Sequence, residues 1–410
     1  MSHRDSPVVI FGGGNTALAV ARALKPIGRP IVVGFEERDI CSYSRACDYY
    51  LGKEKNGKNS DITLVLEEIG KELRRRAVLI PVSDILALAV AQSRETLEKY
   101  YYLFQNTECQ LSQLVDKVKL YSRAKDIGLT VPDSVFEPTI PELEDWIQGH
   151  PPPYFAKPSY SGKANASLKS KNRIFSSRKE LLSFVRESGS NSLIVQQYIG
   201  RSDGNLYDVY GVNQQNGVPV VLETHRRIRQ WPVGRGITSF GEIPITNDSD
   251  ISKRIVEQTR TLFAGMKYHG IYGVEWLHEE TSGQLYLIDV NCRPFSSIGH
   301  LADSGINLPE LAYLEASGDI NGLVRSTENF SVRHTYWIHF ARDFRSAWYH
   351  SRVCQDFTLY RWILEIASAK SYAFLSASDP IPFVIESVSF VRFLIRAIIK
   401  RCRNCVKRLR

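Results

Sequence analysis

Residues 275–293 read Glu275-Trp276-Leu277-His278-Glu279-Glu280-Thr281-Ser282-Gly283-Gln284-Leu285-Tyr286-Leu287-Ile288-Asp289-Val290-Asn291-Cys292-Arg293. Tyr286, Ile288 and Val290 alternate with Leu287, Asp289 and Asn291, the two-residue period of a strand. Asp289 and Asn291 therefore leave that strand on one face. Residues 271–277 read as a second strand, with Thr281-Ser282-Gly283 at the turn, so a hairpin is predicted that sets Glu275 opposite Asp289. Two carboxylates and an amide oxygen on one sheet face form a hard-oxygen cluster suited to Mg²⁺ shared with nucleotide phosphates. Arg293 can meet negative charge developing at the same spot. The plain alternative is a half-exposed hairpin with its acids in water.

Towards the N-terminus, an apolar strand at 8–11 runs into Gly12-Gly13-Gly14-Asn15-Thr16-Ala17 and an apolar helix at 18–24. A strand at 31–35, a helix at 62–75, a strand at 77–81 and a helix capped by Ser83-Asp84 follow. This alternation predicts an α/β unit with a parallel sheet. The glycine run also satisfies the G-x-G-x-x-A dinucleotide fingerprint. It therefore supports an NAD-dependent oxidoreductase as a second reading, although no catalytic His or Tyr-Lys pair accompanies it.

From Asp116-Lys117 the texture changes. A helix at 119–127 ends at Gly128, Val131-Pro132 opens an extended segment, and a helix at 142–148 precedes Pro151-Pro152-Pro153. Strands are expected at 154–158 and 193–199 with a helix at 178–187 between them. A hairpin is expected about Asn216-Gly217, from strands at 206–212 and 218–223, then an amphipathic helix at 251–266. Residues 226–239, with Trp231-Pro232, Gly234 and Gly236, read as a shaped, mobile loop.

Taken together and in this order, these segments resemble the ATP-grasp superfamily of carboxylate ligases over about residues 1–325. Phe155-Ala156-Lys157-Pro158 resembles the strand whose lysine reaches nucleotide phosphates, and residues 159–165 the loop over them, here with a single glycine. The resemblance implies that Lys117 and Lys157 contact phosphates and that Gln197, Tyr198 and Ile199 form the adenine-reading hinge. Gln197 stands there where glutamate is common. It also implies a nucleotide-side role for Asp208. Glu275, Asp289 and Asn291 would hold the metal, with Asp289 in place of the more usual glutamate. Arg293, with one or more of Arg226, Arg227 and Arg229, would stabilise the transition state. Within the superfamily the chain is most similar to carboxylate–amine ligases related to D-aspartate ligase and carbamoyl-phosphate synthetase. That likeness implies ATP and Mg²⁺ (or Mn²⁺) as cofactors, small-molecule carboxylate and amine substrates, a homodimer as one assembly, and a role in cell-surface polysaccharide or peptidoglycan synthesis. The domains implied are a Rossmann-like 1–115, a middle subdomain 116–200, a C-terminal ATP-grasp subdomain 201–330 and a helical extension 331–410.

Composition fits this picture. A chain of 410 residues, 43% hydrophobic and 23% charged, is long enough for two or three domains with cores of their own. Seven scattered cysteines give no disulfide framework, which points to the cytoplasm, and no signal-peptide core is expected after Met1. The net charge of +8 is a tail property. Arg392, Arg396, Lys400, Arg401, Arg403, Lys407, Arg408 and Arg410, with no acid among residues 392–410, account for all of it. A nucleic-acid-binding surface is therefore not implied. Charges at 386, 392 and 396 argue against a spanning helix, and residues 383–410 are expected to form a basic amphipathic helix, facing an anionic membrane or packing on the core. A non-catalytic, membrane-attached ATP-binding protein is the third reading.

Overall fold

Val8-Val9-Ile10-Phe11 has no polar alternation, the signature of a strand buried on both faces. It is β1 (Val8–Phe11), the centre of a five-stranded parallel sheet ordered β3-β2-β1-β4-β5, with β2 Ile31–Gly34, β3 Asp48–Leu51, β4 Ala77–Pro81 and β5 Tyr101–Tyr102. Parallel neighbours need crossovers, and helices Gly14–Leu24, Ser60–Glu72 and Asp84–Gln92 supply them. Ser83 caps the third, accepting from Leu86 N at 3.3 Å. The computed structural model describes residues 6–52, 60–159, 172–189, 191–200, 203–246, 248–328, 330–353 and 357–408.

The glycine run does not offer a pyrophosphate site. Gly14 N donates to Asp39 Oδ2 at 2.7 Å, and a Cβ at Gly13 would lie 2.0 Å from that same oxygen. The helix N-terminus, where a dinucleotide would place its phosphates, is filled by the chain's own carboxylate. This removes the ground for the NAD-dependent reading.

The second sheet, ordered β6-β9-β7-β8, joins β6 Ser134–Phe136, β7 Tyr154–Pro158, β8 Arg173–Phe175 and β9 Leu193–Gln197 in antiparallel pairs. Helices Ile140–Gly149 and Arg178–Ser188 cover it, with Leu143, Leu181 and Phe175 in their common core. The third sheet is ordered β14-β13-β10-β11-β12-β15-β16. Its strands are β10 Leu206–Asn213, β11 Pro219–Trp231, β12 Ile237–Ile243, β13 Gly270–Glu279, β14 Gln284–Asn291, β15 Thr335–Ile338 and β16 Ser371–Tyr372. One face packs on helix Ser249–Phe263 through Trp276, Val274 and Leu287. The other shares a core with the first sheet through Tyr210, Phe295 and Trp337. The loop expected at 226–239 is instead a β-hairpin, because Arg226–Trp231 and Ile237–Glu242 pair across residues 232–236.

Three buried histidines make the fold sensitive to acid. Burial, helped by the Arg94 cation, pushes His269 down to about 4, and burial drives His300 and His339 well below their usual range. Glu315 lies 3.7 Å from His269 Nε2 and pulls the other way, but beyond hydrogen-bond reach, while Nδ1 accepts from Gln105 N at 2.8 Å. The unfolded chain takes up these protons near pH 6.5. The folded chain binds the His269 proton only near pH 4. Stability therefore falls as pH drops below about 6.5, and His269 alone removes roughly 3 kcal/mol by pH 4. Urea midpoints measured between pH 7 and 5 should fall, and His269→Gln should flatten that slope; an unchanged slope would count against His269 as a source.

Candidate active site

The register of the third sheet builds the site. Asp289 on β14 lies opposite Glu275 on β13, Glu275 opposite Asp208 on β10, and Asp208 opposite His225 on β11. Directly opposed residues share a face, so four adjacent strands present a row of three carboxylates and an imidazole. Asn291, two residues after Asp289, joins that face and donates from Nδ2 to Glu275 Oε1 at 3.2 Å. Arg293 closes the row, donating from Nη2 to Asn291 Oδ1 at 2.8 Å and to Asp84 Oδ2 at 3.2 Å. The predicted convergence of Glu275, Asp289, Asn291 and Arg293 is present.

Two lysines arrive from other elements. Asp116 caps helix Lys117–Asp126, accepting from Val118 N, and Lys117 N donates to Ser159 O at the end of β7. Lys117 thus occupies the first turn, where the helix dipole disfavours a cation. Its ammonium is compensated from outside, by Asp289 Oδ1 at 2.9 Å. Burial works against the Lys117 charge, but Asp289, with Asp84 and Glu275 behind it, outweighs this and holds the ammonium above its usual range. Burial likewise opposes the Asp289 charge, and Lys117 and Lys157 together hold that carboxyl below its usual range. Lys157 is buried on β7, donating to Tyr121 Oη at 2.8 Å and lying 3.4 Å from Ile288 O, one residue before Asp289.

A divalent cation fits this set. Glu275 Oε1 is held by Asn291 and by Arg227 Nη2 at 2.9 Å, and Asp289 Oδ1 by Lys117. Each carboxylate keeps its second oxygen as a donor, and Asn291 Oδ1, shared with Arg293, is a third. Among the described residues no three His, Cys, Asp or Glu side chains group closely enough to hold a metal by themselves. Two carboxylates and an amide suit Mg²⁺, which keeps several waters and completes its shell with substrate phosphates.

Several expected roles need correction. Asp208 is 1% exposed and accepts from Arg227 through both oxygens, from His225 Nδ1 at 2.7 Å and from Tyr210 Oη at 3.2 Å. With its lone pairs committed inside the protein, it anchors Arg227 and does not face a nucleotide. Arg227 belongs to the cluster. Arg229 does not: Asp343 grips it in a two-point pair at 2.9 and 2.8 Å, Glu365 takes its remaining nitrogen, and it stacks over Phe240. The bulges in β11 after Arg227 break the alternation that would have returned it to the site face. At the hinge, the Gln197 and Tyr198 N–H groups donate to Asp133 O and Pro153 O, and the Ile199 side chain is buried beside Leu206 and Ile288. Of the phosphate loop expected at 159–165, Ser159 is described and buried; residues 160–165 lie outside the described residues.

No protein-family model and no curated protein sequence matches the chain. Solved structures do. An L-amino acid ligase from Bacillus licheniformis aligns with a TM-score of 0.61 at 15% identity, over 81% of this chain and 79% of that one. A biotin carboxylase from Campylobacter jejuni aligns with a TM-score of 0.61 at 17% identity, over 82% and 76%. An N5-carboxyaminoimidazole synthetase from Staphylococcus aureus gives 0.60 at 15% identity, over 76% and 77%. The chain has the ATP-grasp fold.

Some residues that shape this candidate site carried little signal. Asp84 reads as a helix-start residue, yet the first sheet delivers it to Arg293 across the interface. Tyr121, one turn beyond Lys117, steadies Lys157. His225 lies two residues before Arg227, and reading 223–229 as a strand would have put both on one face. Gly241 makes room for it: a Cβ there would lie 2.4 Å from His225 Nε2.

Proposed function

We propose that this chain is an ATP- and Mg²⁺-dependent ligase that joins a small-molecule carboxylate to an amine through an acyl phosphate. The observation that carries the reading is the meeting of Glu275, Asp289 and Asn291 on one sheet with lysines from two other elements. Structures of similar proteins support it: the biotin carboxylase was solved with β,γ-ATP, and a further neighbour, the biotin carboxylase domain of a 2-oxoglutarate carboxylase, with MgADP and bicarbonate.

Charge balance supports a metal as well. Lys117, Lys157, Arg227 and Arg293 are already matched by Asp84, Asp208, Glu275 and Asp289. A triphosphate entering this balanced cluster needs cations of its own, and Mg²⁺, or Mn²⁺ in its place, held by Glu275, Asp289 and Asn291, would supply that charge. Lys117 and Lys157 would hold phosphate oxygens as a carboxylate oxygen attacks the γ-phosphorus and ADP leaves. The amine then attacks the acyl carbon, phosphate departs, and the amine loses a proton. Arg293, tethered by Asn291 and Asp84, faces the transient oxyanion.

In this reading the enzyme acts at the cytoplasmic face of a membrane, in surface polysaccharide or peptidoglycan synthesis, with a homodimer as its assembly. The test is an ADP-release screen with amino acids and sugar acids. ADP and phosphate should appear only with a carboxylate and an amine both present. Tight MgATP binding with no turnover across the screen would favour a non-catalytic ATP-binding protein instead.

A further inference from the structure

The C-terminal helix Ile381–Arg408 is anchored on one side only. Phe383 packs on the main core, and Phe390 is buried against Phe340 and Phe344 of helix Phe340–Val353, with ring centroids 6.1 and 5.4 Å away. Glu386 faces Arg342 and Arg345 there. Val384, Val388, Val391, Ile395 and Ile399 follow one another at spacings of three and four, so they form one stripe on a different side of the helix. All five are exposed, Val391 and Ile395 by 51% and Ile399 by 47%. Exposed Arg392 and Arg396 flank the stripe, and the sequence beyond adds only positive charge. Most of the exposed large hydrophobic side chains among the described residues lie between Phe340 and Ile399, Trp348, Tyr349 and Tyr360 among them.

We propose that this helix docks flat on an anionic lipid bilayer, with the Val384–Ile399 stripe in the interface and the arginines at the head-group phosphates. The proposal names the element and lipid chemistry behind the membrane location given above. An exposed apolar stripe of this length needs a cover. The core does not supply it, since the anchored side is a different one. A second copy would bring two helices side by side that carry no acid beyond Glu386, and like charges would oppose the pairing. Insertion across the membrane is excluded for the described helices, none of which is long and apolar enough. An anionic surface complements both the stripe and the charge.

Full-length protein sedimented with vesicles tests this. Vesicles of phosphatidylcholine containing about a third phosphatidylglycerol should bind it and phosphatidylcholine alone should not, with binding weakened by salt. Arg392→Gln with Arg396→Gln should weaken binding about thirtyfold, and Val391→Ser with Ile395→Ser at least about tenfold. All four positions are exposed, so folding and MgATP binding should stay unchanged in both variants. The proposal falls if neutral and anionic vesicles bind equally or neither binds. It falls also if Val391→Ser with Ile395→Ser abolishes a concentration-dependent dimer while vesicle binding is absent in every variant. Its failure would leave the ligase reading intact, because ADP release is measured without lipid.

Discussion

Asp289→Asn should lower the Mg²⁺-dependent affinity for ATP by about a hundredfold and ADP release by about a thousandfold or more. The first figure reflects a charged hydrogen-bonding or metal contact worth about 2–3 kcal/mol. The second adds the loss of charge stabilisation in the transition state. Titration calorimetry with MgATP reads the first without knowledge of the carboxylate or the amine. Lys117→Met should lower ATP affinity about thirtyfold for want of its phosphate contact.

The ion pair Lys117–Asp289 permits a sharper separation. Each single variant leaves a charge without its partner at 2.9 Å, so both should be less stable than the parent. The double variant removes both charges and should recover part of that loss, as coupled neighbours do. ATP affinity should not recover with it, because Asp289 would hold the metal and Lys117 a phosphate oxygen, and the double variant restores neither contact. If stability and ATP affinity rose together in the double variant, the pair would be a structural bridge and the ligase reading would lose its centre.

The hairpin that carries Asp289 was legible because its cause is local. Alternation from Tyr286 to Asn291 and a Thr281-Ser282-Gly283 turn mark the two strands, while a register shift between Glu275 and Trp276 brings Asp289, in place of Ile288, opposite Glu275. The parallel first sheet was legible for the same reason, from uninterrupted apolar runs such as Val8–Phe11. Where the outcome depended on distant partners, the residues gave no warning. Arg229 looks like Arg227 in sequence, and its fate is decided by Asp343, 114 positions later. The last two strands of the third sheet, Thr335–Ile338 and Ser371–Tyr372, are too short to announce themselves and pair with each other and with β12. Gly12–Ala17 matched a fingerprint whose anion is Asp39, a residue whose approach only the folded loop reveals.

Asp208→Ala should destabilise the fold by about 3–5 kcal/mol, the usual cost of stranding one member of a buried ion pair. Arg227 is buried, and without Asp208 its remaining ion-pair partner among the described residues is Glu275 at 2.9 Å, while His225 loses the acceptor of its Nδ1 proton. Asp208→Asn should cost less, since an amide oxygen can still accept one of these bonds. Urea unfolding at neutral pH measures both. MgATP affinity discriminates between the two roles considered for this residue: an anchor predicts a larger change in unfolding midpoint than in affinity for Asp208→Asn, and a nucleotide contact predicts the reverse. The pH response separates it from the histidines. Burial opposes the Asp208 charge, but Arg227 and His225 hold its carboxyl well below the usual carboxylate range. Its stabilisation is therefore fully present above about pH 4 and is lost only as pH falls through that lowered value. Loss of stability between pH 6.5 and 5 should persist in Asp208→Asn and shrink in His269→Gln, so one titration series assigns the two acid transitions to different parts of the molecule.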